Sequence, residues 1–245
     1  MIFNSHRINI MQNLPVIKIN DTIIEKVTDF NFLGITLNEK LNWQSHINKI
    51  TLKISKCIGI ISKLKNFLPE YILKTLYDSM VASHLNYGIL AWGFNLKKLI
   101  KLHKKAIRVI TNSKYNAHTE PLFKSLKTLK VEDLFKLNVL KFFYKYNHNT
   151  LPHNLQSFEF TSRSSIHEYD TRQKNMLDLH ETRTILASKC LRHVTPTIIN
   201  NTEELILEKI YSHSYQGFIW YAKQKMIESY RTECSDENCY ICQRT

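Results

Sequence analysis

Residues 43–68 carry apolar side chains at every third or fourth position. At about 100° per residue these side chains fall within an arc of roughly 100°, which is the buried stripe of an amphipathic helix. They are Trp43, Ile47, Ile50, Ile54, Cys57, Ile58, Ile61, Leu64 and Leu68. Asn42 or Asn38 can cap the start of this helix, and Pro69 ends it. A stripe of this length needs other helices to pack against.

Further helical patterns follow almost to the end of the chain. They cover about residues 70–87, 96–111, 120–126, 131–147, 185–193 and 203–230. The chain of 245 residues has only five Gly and five Pro, too few for a turn-dense all-β fold. Because the first three helices are joined by short links, we expect them to form an antiparallel bundle.

Before residue 43 the pattern is that of short strands. Strand-forming residues flank Asn20-Asp21, which predicts a hairpin within residues 16–24. Residues 31–37 form a further β-prone run, interrupted by Gly34 at a point where another group can approach the backbone closely. The predicted fold class is therefore mainly α, with short N-terminal strands followed by a helical bundle and further helices.

The chain is strongly basic, with 34 Lys and Arg against 21 Asp and Glu and a formal net charge of +13. Such an excess either keeps a protein soluble or attracts an anionic partner such as nucleic acid. Its placement favours nucleic acid, because the cations form rows on the faces of two helices opposite their apolar stripes. We predict phosphate contacts from Lys49, Lys53, Lys56, Lys97, Lys101, Lys104, Lys105 and Arg108.

Aromatic residues crowd the helix predicted at 131–147, beside several lysines. They can stack on bases, although aromatic residues at helical spacing more often pack in a core. His103 lies on the apolar face of the helix at 96–111, so we expect a buried core histidine there.

The last three cysteines have the pattern Cys234-x4-Cys239-x2-Cys242, which resembles a zinc knuckle. A tetrahedral zinc site needs a fourth ligand, which this tail does not supply; His213 would have to fold back to reach it. A zinc site at Cys234, Cys239 and Cys242 and ordinary free thiols both stay open.

The five cysteines are odd in number and unevenly spaced, which favours a reducing compartment over a secreted disulfide framework. No apolar run reaches the roughly 18 to 20 residues of a membrane span, and the N-terminal residues lack a secretory pattern. We therefore expect an intracellular protein, nuclear or cytoplasmic, without a membrane partner.

A series of short motifs occurs in order along about residues 1–184. They are Phe30 to Ile47 (FNFLGITLNEKLNWQSHI), Lys53 to Lys56, Leu68-Pro69, Thr75 to Ser79, His84 to Gly88, Trp92-Gly93, Lys104 to Arg108, His118 to Phe123, His167-x-Tyr169-x-Thr171-Arg172 and Arg183-Thr184. In this order they resemble the reverse transcriptases of non-LTR retrotransposons of the jockey and RTE-like kind. A single tripeptide would carry little weight, but this many in sequence are specific.

The resemblance implies a role for each part of the chain. Phe32, Leu33 and Gly34 would be the primer-grip strand at the end of the palm, which supports the primer terminus. The division that follows is a palm-end β segment at 1–41, a thumb-like bundle at 42–112, a helical extension at 113–149, a linker-like stretch at 150–180, and a C-terminal helical region with a Cys-rich tail at 181–245. Met1 would lie inside a palm strand, so we expect the chain to be a C-terminal piece of a longer element protein.

Polymerase chemistry in this family needs paired aspartates that hold two Mg²⁺ ions. The aspartates are Asp21, Asp29, Asp78, Asp133, Asp170, Asp178 and Asp236, no two of them adjacent, and no Tyr-x-Asp-Asp occurs. We therefore expect a truncated RNA-directed DNA polymerase fragment that binds primer–template nucleic acid but does not catalyse alone. Any Mg²⁺ would belong to the missing palm, and this chain would need no cofactor of its own.

The expected partners are an RNA–DNA hybrid or duplex and a separate palm and fingers polypeptide. The alternative is a non-functional relic, or a structural or interaction module with no specific role on nucleic acid. Its truncated sheet would leave unpaired edges and an apolar face exposed.

Overall fold

The computed structural model describes residues 17–166 and 173–232. It begins with a small antiparallel hairpin of strands β1 (Lys18–Ile19) and β2 (Thr22–Ile23). Asn20 and Asp21 form its two-residue turn with φ of 46° and 63°. Two successive positive φ values match the twist of a tight hairpin, and Asn and Asp tolerate them better than most residues do. The predicted hairpin is confirmed.

A second hairpin follows, made of β3 (Asp29–Phe32) and β4 (Ile35–Asn38). The sequence at 31–37 predicted one interrupted strand; the chain instead reverses at Leu33 and Gly34, whose φ values are 47° and 80°. In this register Phe30 lies opposite Leu37 and Phe32 opposite Ile35. The interruption by Gly34 is thus a turn, which a residue free to adopt positive φ makes possible.

The first helix, α1 (Gln44–Leu64), starts just after this hairpin. Asn42 accepts a hydrogen bond from the Gln44 backbone N–H at 3.0 Å, so it satisfies one of the free donors at the helix start. Ile47, Ile50, Ile54, Ile58 and Ile61 are all buried, as the stripe predicted.

The helix predicted at 70–87 is made of three consecutive segments. They are α2 (Glu70–Tyr77), a π-helical turn at Asp78–Ala82, and α3 (Ser83–Asn86). Gly88, with φ of 61°, ends this run and leads into the short α4 (Ile89–Trp92). A glycine in the left-handed region just past a helix end is a common way to stop it.

Helix α5 (Lys97–Ile110) packs against α1, and the two run in the same direction. Asn48 near the start of α1 accepts a hydrogen bond from Lys98 near the start of α5 at 3.1 Å. Past the other ends, Lys65 donates to Asn112 at 3.0 Å. The first and third helices of an up-down-up bundle are parallel in this way, each antiparallel to the helix between them.

The remaining helices complete the core. They are α6 (Thr119–Ser125), α7 (Val131–Asn147), α8 (Leu191–Asn200), α9 (Glu204–Ser212) and α10 (Tyr215–Glu228). The helix expected at 185–193 starts later, because the backbone is extended at Cys190 (ψ 149°). The prediction of a mainly helical chain with short N-terminal strands is confirmed.

One continuous core joins the early and late helices. Trp92, Tyr77, Phe123 and Phe218 are among its largest fully buried side chains. The link is α7, which packs against α3, α4 and α5 among the early helices and against α8 and α10 among the late ones. The aromatic residues of α7 from Phe135 to Tyr144 are buried, so they are core residues and are not available to stack on bases.

The stretch between α7 and α8 is mostly irregular where the structure describes it. Within this stretch an isolated antiparallel β-bridge pairs Ser162 with Leu177. Phe158 and Phe160 pack edge-on against Phe142 of α7, with ring centroids 5.4 and 6.4 Å apart. Among the described residues, no helix is long and apolar enough to cross a bilayer.

Candidate nucleic-acid interface

The hairpin of β3 and β4 is fixed to α1 by polar contacts at Thr36. The Thr36 backbone N–H donates to Nδ1 of His46 at 3.2 Å, and Lys49 Nζ donates to the Thr36 hydroxyl at 3.1 Å. The ring of His46 packs edge-on against Trp92, with centroids 5.6 Å apart. Strand β4 and the first turns of α1 therefore form one unit.

The tip of this hairpin holds the residues predicted to be primer-grip-like, Phe32, Leu33 and Gly34. Phe32 is 56% exposed and Leu33 is 75% exposed. The Tyr87 hydroxyl donates to the Leu33 carbonyl at 2.5 Å. A Cβ atom on Gly34 would lie 3.5 Å from the Tyr87 ring, and the φ of +80° disfavours any other residue there. The close approach expected at Gly34 is thus made by Tyr87.

A cavity of about 420 Å³ lies between the hairpin, α1 and α3. Its lining includes Asn31, Gly34, Thr36, His46, Lys49, Lys53, His84 and Tyr87. No acidic residue lines it. The cavity thus brings the predicted Lys49 and Lys53 together with the predicted Gly34.

His46 is only 3% exposed, and its Nε2 has no hydrogen-bond partner among the described residues. Its Nδ1 accepts from Thr36, so the ring proton resides on Nε2 when the imidazole is neutral. Burial lowers the pKa of His46, and the positive charges of Lys49 and Lys53 lower it further. At neutral pH the ring is therefore an uncharged donor beside two cations.

The lysines predicted on α5 do not line this cavity. Lys97, Lys101, Lys104 and Lys105 are all exposed. None of these four lysines has an ion-pair or hydrogen-bond partner within residues 17–166 and 173–232. Four adjacent ammonium groups without counter-charges form a positive surface.

Arg108 differs from the lysines of its row. Its Nε donates to the Ala117 carbonyl at 2.8 Å, and burial lowers the pKa of its guanidinium. Arg108 therefore holds the loop after α5, which leaves fewer of its donors for a ligand.

The two rows do not merge into one. Asn48 lies on the flank of α1 that meets α5, as its contact with Lys98 shows. Lys49 and Lys53 lie on the other flank, beside β4, whereas Lys56 is exposed and lines none of the hairpin cavity. α1 thus separates the hairpin cavity from the row on α5.

The positive charge of the chain is concentrated in the region that contains α1 and α5. Residues 40–119 hold 14 Lys and Arg against 2 Asp and Glu, a net charge of +12 out of the chain's +13. Neither α1 nor α5 contains an acidic residue. We call the outer surface of these two helices the α1–α5 basic layer.

His46, His84 and Tyr87 were not predicted as site residues. His46 lies within the motif that starts at Phe30, and His84 and Tyr87 lie in the motif from 84 to 88, but a motif does not indicate which of its residues face a cavity. The contact of Tyr87 with Leu33 spans 54 positions, and no local pattern predicts it.

The remaining predicted site residues lie outside the described residues. Cys234, Cys239 and Cys242 are among them, so the zinc site stays a prediction. His167, Tyr169 and Arg172 also lie there. Within the described part of the chain, no three His, Cys, Asp or Glu side chains are grouped to hold a metal ion.

Comparison with known proteins relates the chain to reverse transcriptases. It is 27% identical over 174 residues to the RNA-directed DNA polymerase from mobile element jockey of Drosophila melanogaster, across 68% of this chain and 19% of that protein. The jockey polymerase of Drosophila funebris is 23% identical over 133 residues, across 51% of this chain and 14% of that protein. The resemblance predicted from the motifs is confirmed: the chain is similar to jockey-element RNA-directed DNA polymerases over half to two thirds of its length.

The chain spans less than a fifth of the length of these curated relatives. A shorter stretch is similar to an NADH-quinone oxidoreductase polypeptide of Buchnera aphidicola, with 37% identity over 83 residues, across 32% of this chain and 9% of that protein. No family model and no solved structure matches the chain.

Proposed function

We propose that this chain binds primer–template nucleic acid, an RNA–DNA hybrid or duplex, through the α1–α5 basic layer. The observation that carries the proposal is the concentration of +12 of the chain's +13 charge in residues 40–119, a range in which α1 and α5 contain no acidic residue. A duplex carries one phosphate charge about every 1.7 Å of its axis, so a surface of unpaired lysines binds it without regard to sequence. The similarity to jockey polymerases supports this proposal.

In this proposal the chain is the thumb-like part of a truncated polymerase. Lys97, Lys101, Lys104 and Lys105 contact phosphates from one side of α1, and Lys49 and Lys53 do so from the other. Phe32, Leu33 and Gly34 support the primer terminus from the exposed hairpin tip. The chain does not polymerise alone, because no pair of adjacent aspartates exists to hold two Mg²⁺ ions.

The N-terminal hairpins support a second candidate, an interaction module that docks on another polypeptide. Their large apolar residues are exposed: Ile17, Ile19, Ile23, Ile24, Phe30, Phe32 and Leu33. Apolar residues grouped in this way on short, open strand pairs suit contact with a protein surface, such as a palm polypeptide.

Fluorescence anisotropy of a labelled RNA–DNA hybrid, titrated with the full chain, tests the first candidate. We expect binding that weakens about 100-fold or more between 50 and 200 mM salt, the behaviour of four or more phosphate contacts. A homopolymer primer–template with Mg²⁺ should show no extension above a heat-inactivated control. Affinity that does not change with salt, or the absence of binding together with self-association in gel filtration, would favour the interaction module instead.

A further inference from the structure

A second cavity, of about 630 Å³, lies where the early and late parts of the chain meet. It opens between the segment before α1, the end of α4 and the loop before α8. Its walls are mostly apolar, and they include Trp43, Leu90, Phe94, Phe158, Ile185 and Leu186. Binding sites for small organic molecules usually have this size and lie at such junctions.

Two aromatic walls of this cavity rest on α7. Phe94 packs edge-on against Phe135 with ring centroids 5.4 Å apart, and Phe158 packs in the same way against Phe142 at 5.4 Å. Phe135 and Phe142 are two helical turns apart, so they share one face of α7 and lie about 10 Å from each other along its axis. Because both supports are buried side chains of one helix, the two walls are held apart without a ligand.

One wall of the cavity exposes apolar side chains to water. Ile185 is 77% exposed and Leu186 is 49% exposed. The Cys190 thiol donates to the Leu186 carbonyl at 3.5 Å, so this wall is a turn of the chain that ends at the start of α8. An apolar molecule in the cavity would cover the wall, and burial of apolar surface is the main favourable contribution to such binding.

The polar lining residues indicate the charge of that molecule. They are Lys40, Asn42, Asn95 and Lys189, and no acidic residue of the described structure lines the cavity. Lys40 and Lys189 are exposed, and neither Nζ has an ion-pair or hydrogen-bond partner within residues 17–166 and 173–232. Two ammonium groups beside an apolar cavity attract an anionic head group and repel a cationic one.

We propose that this cavity binds an apolar molecule with a carboxylate head, of the fatty-acid class. The apolar chain lies between Phe94, Phe158 and Leu186, and the carboxylate lies beside Lys40 and Lys189. The cavity shares no lining residue with the hairpin cavity, and no lysine of α5 lines it. The proposal is therefore independent of nucleic-acid binding.

Isothermal titration calorimetry of the full chain with laurate, below its micellar concentration, tests the proposal. We expect laurate to bind, and octanoate to bind on the order of 100-fold more weakly, because each methylene that it lacks contributes about fourfold. Dodecylammonium has the same chain length with a positive head, and it should bind about tenfold more weakly than laurate.

Alkylation by N-ethylmaleimide, followed by peptide mass spectrometry, locates the ligand. Cys190 is exposed and lines the cavity, so saturating laurate should slow its alkylation about tenfold. Cys57 lies on α1 and does not line the cavity, so its alkylation should not change. Leu186→Ser should weaken laurate binding about tenfold. Its matched control is Leu205→Ser on α9, which changes a leucine of similar exposure outside the cavity and should bind laurate as the wild type does.

The head-group contacts are tested by Lys40→Gln combined with Lys189→Gln. This variant should bind laurate about fivefold more weakly and lose the preference for laurate over dodecylammonium, whereas Lys63→Gln combined with Lys127→Gln should keep both. The proposal is overturned if laurate leaves the alkylation of Cys190 unchanged, or if dodecylammonium binds the wild type as tightly as laurate does. Equal binding of laurate by the wild type and Leu186→Ser would also overturn it, since the ligand would then lie elsewhere, such as on the exposed apolar hairpins.

Discussion

Residues 40–119 and residues 120–232 are built from the same kind of helix but treat their charges in opposite ways. The first region has 14 cationic residues and 2 acids, whereas the second has 16 and 12. In the second region Lys130 pairs with Glu120, Lys136 with Asp133 at 3.3 Å, and Lys225 with Glu228 at 2.9 Å. On α5, by contrast, four neighbouring lysines have no such partner in the described structure.

The difference shows that the unpaired cations are not required by the fold. Both regions bury amphipathic helices in one core, and the second region shows that such helices can carry a balanced surface. Exposed ion pairs contribute only about 0 to 1 kcal/mol each to stability, so helices such as α1 and α5 can do without them at little cost. A net charge of +12 in residues 40–119 is therefore better explained by a partner than by packing.

The comparison requires that the two regions fold together, which a pair of core substitutions tests. Trp92 lies in the first region and Phe218 in the second, and both are fully buried. We expect Trp92→Ala and Phe218→Ala each to destabilise the chain by about 3 to 5 kcal/mol, the usual cost of removing a buried aromatic ring. Urea denaturation followed by far-UV circular dichroism should show one transition, shifted in both variants.

Independent regions would give another result. Two transitions, with Trp92→Ala shifting only one of them and Phe218→Ala only the other, would mean that α7 does not couple the halves. The charge contrast would then be a contrast between two domains.

The next largest effect concerns charge itself. Changing Lys97, Lys101, Lys104 and Lys105 to Gln should weaken binding of the RNA–DNA hybrid about 100-fold at low salt and reduce the salt slope by roughly 3 to 4. The matched control changes Lys127, Lys136, Lys145 and Lys225 of the second region to Gln, with the same loss of charge. Anisotropy titrations that weaken equally for both variants would show that net charge alone drives binding and that its placement on α5 is irrelevant.

The helices were predictable from sequence because each has a local pattern of apolar residues, and those residues are the ones that pack in the core. The stripe from Ile47 to Ile61 is buried as predicted, and Pro69 separates α1 from α2. The turn at Leu33 and Gly34 was less predictable, because a leucine at φ of 47° contradicts its own preference. The Tyr87 hydroxyl, bonded to the Leu33 carbonyl, stabilises that turn from a distant part of the chain.

The candidate site was predictable only in its charges. Lysine rows follow from the period of a helix, and every predicted lysine is on the helix expected of it. The cavity depends on which elements meet, and the placement of α3 beside β4 is a property of the tertiary fold. His46 and His84 therefore became site residues only once the hairpin, α1 and α3 were seen together.

The junction of the two regions contains a buried polar pair. Nε2 of His103 on α5 lies 2.5 Å from the Tyr77 hydroxyl of α2, and its ring packs edge-on against Phe123 of α6 at 4.8 Å. Burial lowers the pKa of His103 to about 3, and burial also raises the pKa of Tyr77, so both groups are neutral near pH 7. His103 thus belongs to the core, although the outer face of the same helix carries the exposed lysines.

The pair of Tyr77 and His103 predicts how low pH affects the stability of the core that the two regions share. Unfolded His103 takes up a proton as the pH falls through its ordinary value of about 6.5, but the folded residue does not until about pH 3. The unfolded state therefore binds more protons in this window, and stability is lost as pH falls, by up to about 1.4 kcal/mol per pH unit. Urea titrations of His103→Gln, which keeps a partner for Tyr77, should show a shallower loss of stability between pH 6.5 and 4 than the wild type, whereas exposed His153→Gln should follow the wild type. Equal slopes for all three proteins would mean that His103 takes up its proton in the folded state, and that the junction of the two regions admits water.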